Sequence, residues 1–217
     1  MSSLHPSLAR IYGTANPQSE FLFVDESYTT PQEGLNSTFY LLTAVKFSYA
    51  DLPGVRADLQ DIAGGYYWHT TEALQTKQGT HTFEEFLDYF CSEADPSFIT
   101  CKTSLTTRYS TEDARQDCLR SLMDLSVPSS GGLAGVVFEK RNVARDNNRD
   151  RKFLKVLEGD GVIPQSLGRA WVSPIDELAL WAPDIVGMAY RRQRTHSDST
   201  SKFFDRYLAT TAKIVEI

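Results

Sequence analysis

The stretch Phe21-Leu22-Phe23-Val24-Asp25-Glu26 decides how the rest of the chain is read. Four consecutive aromatic or branched apolar residues predict a short strand buried on both faces, because a strand with one wet face would alternate with polar residues. That strand runs into two acids. Leu133-Ala134-Gly135-Val136-Val137-Phe138 repeats the arrangement and runs into Glu139. If the two strands lie side by side and parallel, their acids meet at one end of a sheet, which is where α/β folds place ligands.

Working outward, residues 38–47 (TFYLLTAVKF) predict a second strand, and the short link to the first suggests a hairpin. Residues 52–62 have helical spacing, and Gly64-Gly65 ends that helix. Tyr66-Tyr67-Trp68 suggests a short edge strand, residues 82–94 a helix and residues 98–107 a strand. Ser110, with Asp113 three residues on, caps a helix running through Leu125. A basic helix over residues 145–157 and a short strand at Ala170 to Val172 follow. Ser173-Pro174-Ile175-Asp176 combines an N-cap, a proline and an acid, which predicts a helix start there. Its apolar face is Ile175, Leu178, Ala179, Ala182, Val186 and Ala189, with a kink or break at Pro183. A last amphipathic helix carries Phe203, Phe204, Tyr207 and Leu208. A hairpin followed by strands separated by helices implies an α/β domain, its mixed sheet antiparallel at the start, parallel later and flanked by helices. Residues 1–19 are expected as a loosely packed arm, and residues 20–217 as a single domain.

The chain has 217 residues, 41% hydrophobic and 23% charged, an ordinary globular composition rather than that of a disordered chain. Its formal charge of -6 argues against non-specific coating of nucleic acid, so a nucleic-acid partner must meet a local basic patch. Cys91, Cys101 and Cys118 have neither disulfide-framework nor zinc-site spacing, which fits a reducing cytoplasm. No secretory leader is recognisable at the start, and no stretch approaches the roughly 20 apolar residues of a membrane span.

Converging carboxylates repel unless one is protonated or a cation neutralises them, so Asp25 and Glu139 suggest a divalent-metal site; the alternative is two acids that cap helices or meet water. Asp184, on an otherwise apolar helix beside Trp181 and Pro183, is a third candidate ligand. Glu177, near the predicted helix start, reads as a macrodipole residue. His69 either orients water or protonates a leaving oxygen near such a site, or is structural. Arg145, Arg149 and Lys152 share a helical face, and Arg191, Arg192 and Arg194 form a second cluster. Both groups either grip phosphates or form solvated faces. No P-loop, dinucleotide-binding, serine-hydrolase or H-E-x-x-H motif is present.

FLFVDES, STFYLLTAVKF, YYWHTTEAL and SPIDELALWAPDIVGMAYRR together resemble a family of bacterial proteins of unknown function with an RNase H-like fold, presumed to contain nucleases. Its members open with a strand ending Asp-Glu-Ser-Gly and tend to close with a helix bearing an Ala-Asp pair. The resemblance spans about residues 20 to 195. It implies that Asp25, Glu139 and Asp184 are catalytic carboxylates holding Mg²⁺ or Mn²⁺, and His69 sits where many members keep a histidine. Tyr28 stands where the family usually has Gly, and Pro183 where it usually has Ala. Two readings result. One is a metal-dependent nuclease acting on RNA or DNA; the other is a catalytically silent adaptor that binds nucleic acid or a protein partner.

Overall fold

The computed structural model describes residues 4–29, 38–92, 97–106, 111–128 and 132–217. Its strands are β1 (Glu20–Thr29), β2 (Phe39–Ser48), β3 (Ser97–Thr103), β4 (Leu133–Glu139), β5 (Gly168–Val172) and β6 (Lys213–Glu216). Its α-helices are α1 (Pro6–Tyr12), α2 (Leu52–Ile62), α3 (Thr70–Ala73), α4 (Lys77–Ser92), α5 (Thr111–Ser126), α6 (Ala144–Gly159) and α7 (Trp181–Thr195). The strands form one mixed sheet in the order β5-β4-β1-β2-β3-β6. β1, β2 and β3 pair antiparallel, whereas β4 is parallel to β1 and to β5. This is the helix-flanked mixed α/β sheet that the sequence predicts, antiparallel in its opening hairpin and parallel where β4 returns beside β1.

Each sheet face has its own apolar core. One gathers Phe21, Phe23, Leu41 and Val137 against α7, α2 and α4. The other gathers Leu22, Val24, Tyr40, Val136 and Phe138 against α5 and α6. Strand alternation therefore sends Asp25 and Glu139, in step with Phe23 and Val137, to the α7 face, and Glu26 to the α5 face. The parallel pairing of β1 with β4 ends at Val24 and Phe138. β1 itself does not stop at Asp25 as expected; it continues to Thr29 along β2. The two acids thus stand where β1 and β4 part.

Four local expectations are corrected. Residues 6–12 are a helix with Leu8, Ile11 and Tyr12 buried, rather than loose chain, because those residues share a face and Pro6 opens the helix. Tyr66-Tyr67-Trp68 forms no strand; it follows the turn made by Gly64 and Gly65, both at positive φ, and Tyr66 is exposed. No α-helix starts at Ser173. Residues 174–176 turn, Ile175 is 73% exposed, and a 3₁₀ turn at Leu178–Leu180 leads into α7 at Trp181. Pro183 consequently lies in the first turn of α7, where its missing N–H has no helical acceptor to lose, and it causes no break. The last predicted helix is a 3₁₀ turn followed by one π turn, with Phe203, Phe204, Tyr207 and Leu208 still buried. Ser110 lies outside the described residues. None of the described helices is long and apolar enough to cross a membrane.

Candidate carboxylate site

Asp25 comes from β1, Glu139 from the end of β4 and Asp184 from the first turn of α7. α7 reaches the sheet closely because residue 187 is glycine: a Cβ there would stand 2.8 Å from Thr43 Oγ1. Any larger residue would push the helix, and Asp184 with it, off the sheet. All three acids line a cleft of about 310 Å³, together with Tyr67, His69, Thr70 and Trp181. Asp25 also lines the two neighbouring clefts, one shared with Glu139 and the other with Asp184, and so sits at the centre of the group.

Electrostatics sets these carboxylates apart. Burial, then repulsion from Asp184 and Glu139, holds the Asp25 carboxyl well above the usual carboxylate range. Burial also raises Glu139, against a hydrogen bond shared with Asp25 and with added repulsion from Asp184. Burial raises Asp184 in turn, opposed by the Thr70 hydroxyl and by His69. No ion pair to a basic side chain involves any of the three among the described residues. Nor do three Asp, Glu, His or Cys side chains converge as a ready cage for an ion among those residues. The cluster is buried, its carboxyls repel one another, and among the described residues no ion pair relieves them.

Several supporting groups had no signal in the sequence. Thr70 Oγ1 donates to Asp184 Oδ2 at 2.6 Å and accepts from Trp68 Nε1 at 2.7 Å, which fixes the carboxylate through one hydroxyl. Thr43, opposite Asp25 in the β1–β2 register, has a buried Oγ1 with no hydrogen-bond partner among the described residues and lines the cleft with Asp25 and Asp184. His69 is exposed at the rim, with the Tyr67 ring 4.6 Å from it on one side and Trp181 5.6 Å from that ring on the other. Arg191 donates to Ser27 Oγ at 3.0 Å beside Asp25 and Asp184.

Other expected residues lie elsewhere. Arg192 is tied to Asp198 and to Thr200. Arg145 and Arg149 pair with Asp146 on their own helix, and Lys152 is exposed on α6. Glu177 is corrected from a solvent-facing macrodipole residue to a buried one: it accepts from Tyr12 Oη at 2.8 Å and binds Arg56 through both oxygens, at 2.8 and 2.6 Å.

No family model and no curated protein matches the chain. It is similar to solved structures of Bst-RNase HIII. A point mutant of that protein superposes with a TM-score of 0.45 at 10% identity, and the complex with Mn²⁺ with a TM-score of 0.44 at 11% identity. Each match covers 89% of this chain and 61% of the other, so the chain spans about three fifths of those proteins' length.

The two sequence departures have simple places in this geometry. Tyr28 is on the Glu26 face of β1, stacked on Tyr40 with ring centroids 5.4 Å apart, and so points away from Asp25. Pro183 occupies a helix position that tolerates proline.

Proposed function

We propose that the chain is a metal-dependent nuclease in which Asp25, Glu139 and Asp184 hold one or two Mg²⁺ or Mn²⁺ ions for phosphodiester hydrolysis. The observation that carries this reading is the junction of three carboxylates from separate elements with no ion pair to a basic side chain among the described residues. The donors fit a hard divalent cation, since all are oxygens, and the unpartnered Thr43 hydroxyl adds a polar group to the same cavity. A bound ion would supply Lewis-acid activation of water and charge stabilisation of the leaving oxygen.

The chain's own residues would do the rest. Asp25, its carboxyl held above the usual range by burial and like charge, would be favoured in its charged form by a bound cation. Thr70 keeps one oxygen of Asp184 engaged, which leaves the other to face the cleft. His69 stands at the rim, exposed to solvent, and is placed to deliver a proton to a departing oxygen. Arg191 lines a cleft with Asp25 and Asp184 and would offer its guanidinium to a phosphate held there. Tyr28 stacks on Tyr40 and Pro183 fits the first turn of α7, so neither departure by itself favours the adaptor reading.

The test is hydrolysis of labelled single- and double-stranded RNA and DNA with Mg²⁺ or Mn²⁺. Activity should vanish with chelator and in Asp25→Asn. Cleavage by pure protein that survives chelation would overturn the mechanism, and inertness on all four substrates with either metal would return the adaptor reading.

A further inference from the structure

The basic helix singled out in the sequence presents two kinds of cation. Arg145 and Arg149 are engaged by Asp146. Arg151 and Lys155, one turn apart on the same helix, face the edge strand β5 instead. There Arg151 lies over the Trp171 indole, 4.5 Å from its centroid, and donates to Asn148 Oδ1 at 3.0 Å. A guanidinium held flat in this way has lost its rotamer freedom already and keeps N–H edges for an external acceptor.

Two clefts run along this edge and share Arg151 and Trp171. One, of about 560 Å³, includes Arg10, Lys155 and Arg169 around Gly168, at the start of β5. The other, of about 370 Å³, includes Lys140 and Val172 at the end of β5, where Lys140 directly follows Glu139. Four of the lining cations, Arg10, Lys140, Arg151 and Lys155, have no carboxylate partner among the described residues. Two acids also line the clefts: Glu158, paired with Arg169 at 2.6 Å, and Asp176. Trp171 is only 8% exposed, yet its Nε1–H finds no acceptor among the described residues. In a chain of formal charge -6 this is a concentrated positive strip, aligned with the sheet and leading to the residue after Glu139.

We propose that these clefts form one track for the sugar-phosphate backbone of a single nucleic-acid strand, guided along β5 towards the carboxylate site. The proposal rests on the nucleic-acid reading for its substrate class, and on none of the carboxylates. Unpaired cations in line suit a polyanion of regular charge spacing, and phosphate oxygens are acceptors for Arg151 and Lys155.

The experiment is fluorescence anisotropy of a short labelled single-stranded oligonucleotide, with chelator present so that the carboxylate site takes no part, over about 50 to 200 mM salt. Replacing Arg151 and Lys155 by Gln should weaken binding roughly tenfold and lower the log–log salt slope by about 1.4, at about 0.7 per lost contact. Arg145→Gln with Arg149→Gln, on the same helix but already paired, should change affinity by less than about twofold on the same counterion-release argument. Arg10→Gln, on α1, reads the same track independently should the α6 pair misfold. Equal losses in the two α6 pairs, or an unchanged slope, would overturn the proposal. Competition by polyglutamate as effective as by unlabelled oligonucleotide would also overturn it, in favour of an acidic protein partner. A failed nuclease assay with a working track, or the reverse, separates the two readings.

Discussion

Asp25 and Glu26 are neighbours in sequence and opposites in environment. Glu26 faces α5, where Arg115, Arg141 and the Tyr40 hydroxyl converge on it. Arg115 also grips Asp150 through two hydrogen bonds, at 2.7 and 2.8 Å, and donates to Tyr40 Oη at 3.0 Å. Arg141 adds Glu112 at 3.1 Å and Asp150 at 3.6 Å. Asp25, one residue earlier, faces α7, meets two more carboxylates and has no ion pair among the described residues. The same residue class on one strand is thus paired with arginines on one face and left without such a partner among the described residues on the other. A buried acid with its own arginine is part of the scaffold, whereas a group of acids without one retains an unmet demand for positive charge.

The contrast breaks most visibly at Arg115. Arg115→Met removes the cation that Glu26 and Asp150 share at 3% exposure, and leaving buried charge unpaired costs about 3–5 kcal/mol. In a domain of this size that lowers Tm by roughly 10 °C or more, readable by thermal unfolding. A loss no larger than that of an exposed arginine would mean that the Glu26 face is not the structural one.

The Asp25 face should respond to added cation instead. Mn²⁺ at a hundredfold excess over Kd stabilises the native state by about 2.7 kcal/mol, a Tm rise of roughly 5–10 °C. Asp25→Asn and Asp184→Asn should lose most of that rise, while Arg115 variants that still fold should keep it. Identical shifts in wild type and both Asn variants would dissolve the distinction between the faces.

The smallest effect concerns pH in metal-free protein. The carboxyls of Asp25, Glu139 and Asp184 are raised in the folded state, so the native cluster binds protons more tightly than the unfolded chain. Its contribution to stability is complete below the ordinary carboxylate range, near 4, and is lost as pH rises through the raised values. At neutral pH, with chelator, Asp25→Asn should therefore match wild type or exceed it by about 1 kcal/mol, and the difference should shrink on acidification. Urea titrations at several pH values measure this. A variant less stable than wild type at neutral pH would show that the acids do not repel.

The sequence made the sheet legible because its signals there are strong and local. The runs FLFV and LAGVVF are too apolar for any place but a sheet interior, and residues 52–62 form a helix with the predicted bounds. The pairing of Asp25 with Glu139 followed from two strands ending alike, and parallel register supplied the rest. The signals failed where two local rules competed. Ser173-Pro174 carries every mark of a helix start, but Glu177 is pulled into the core by Arg56 and Tyr12, and the chain turns until Trp181.

By itself, then, the sequence determined an α/β sheet, the strands within it and the acids at their junction, because hydrophobic run length and strand period are properties of adjacent residues. Only the tertiary structure decided which acids are compensated. Arg115 is 89 positions from Glu26 and Thr70 is 114 from Asp184, and no spacing rule links residues so distant. It also decided which arginines of α6 are free, since i to i+3 pairing with Asp146 engages Arg149, while packing against β5 turns Arg151 and Lys155 to the edge. Charge is written in the sequence, but compensation is a matter of distance, and distance between remote residues exists only once the sheet has brought its faces together.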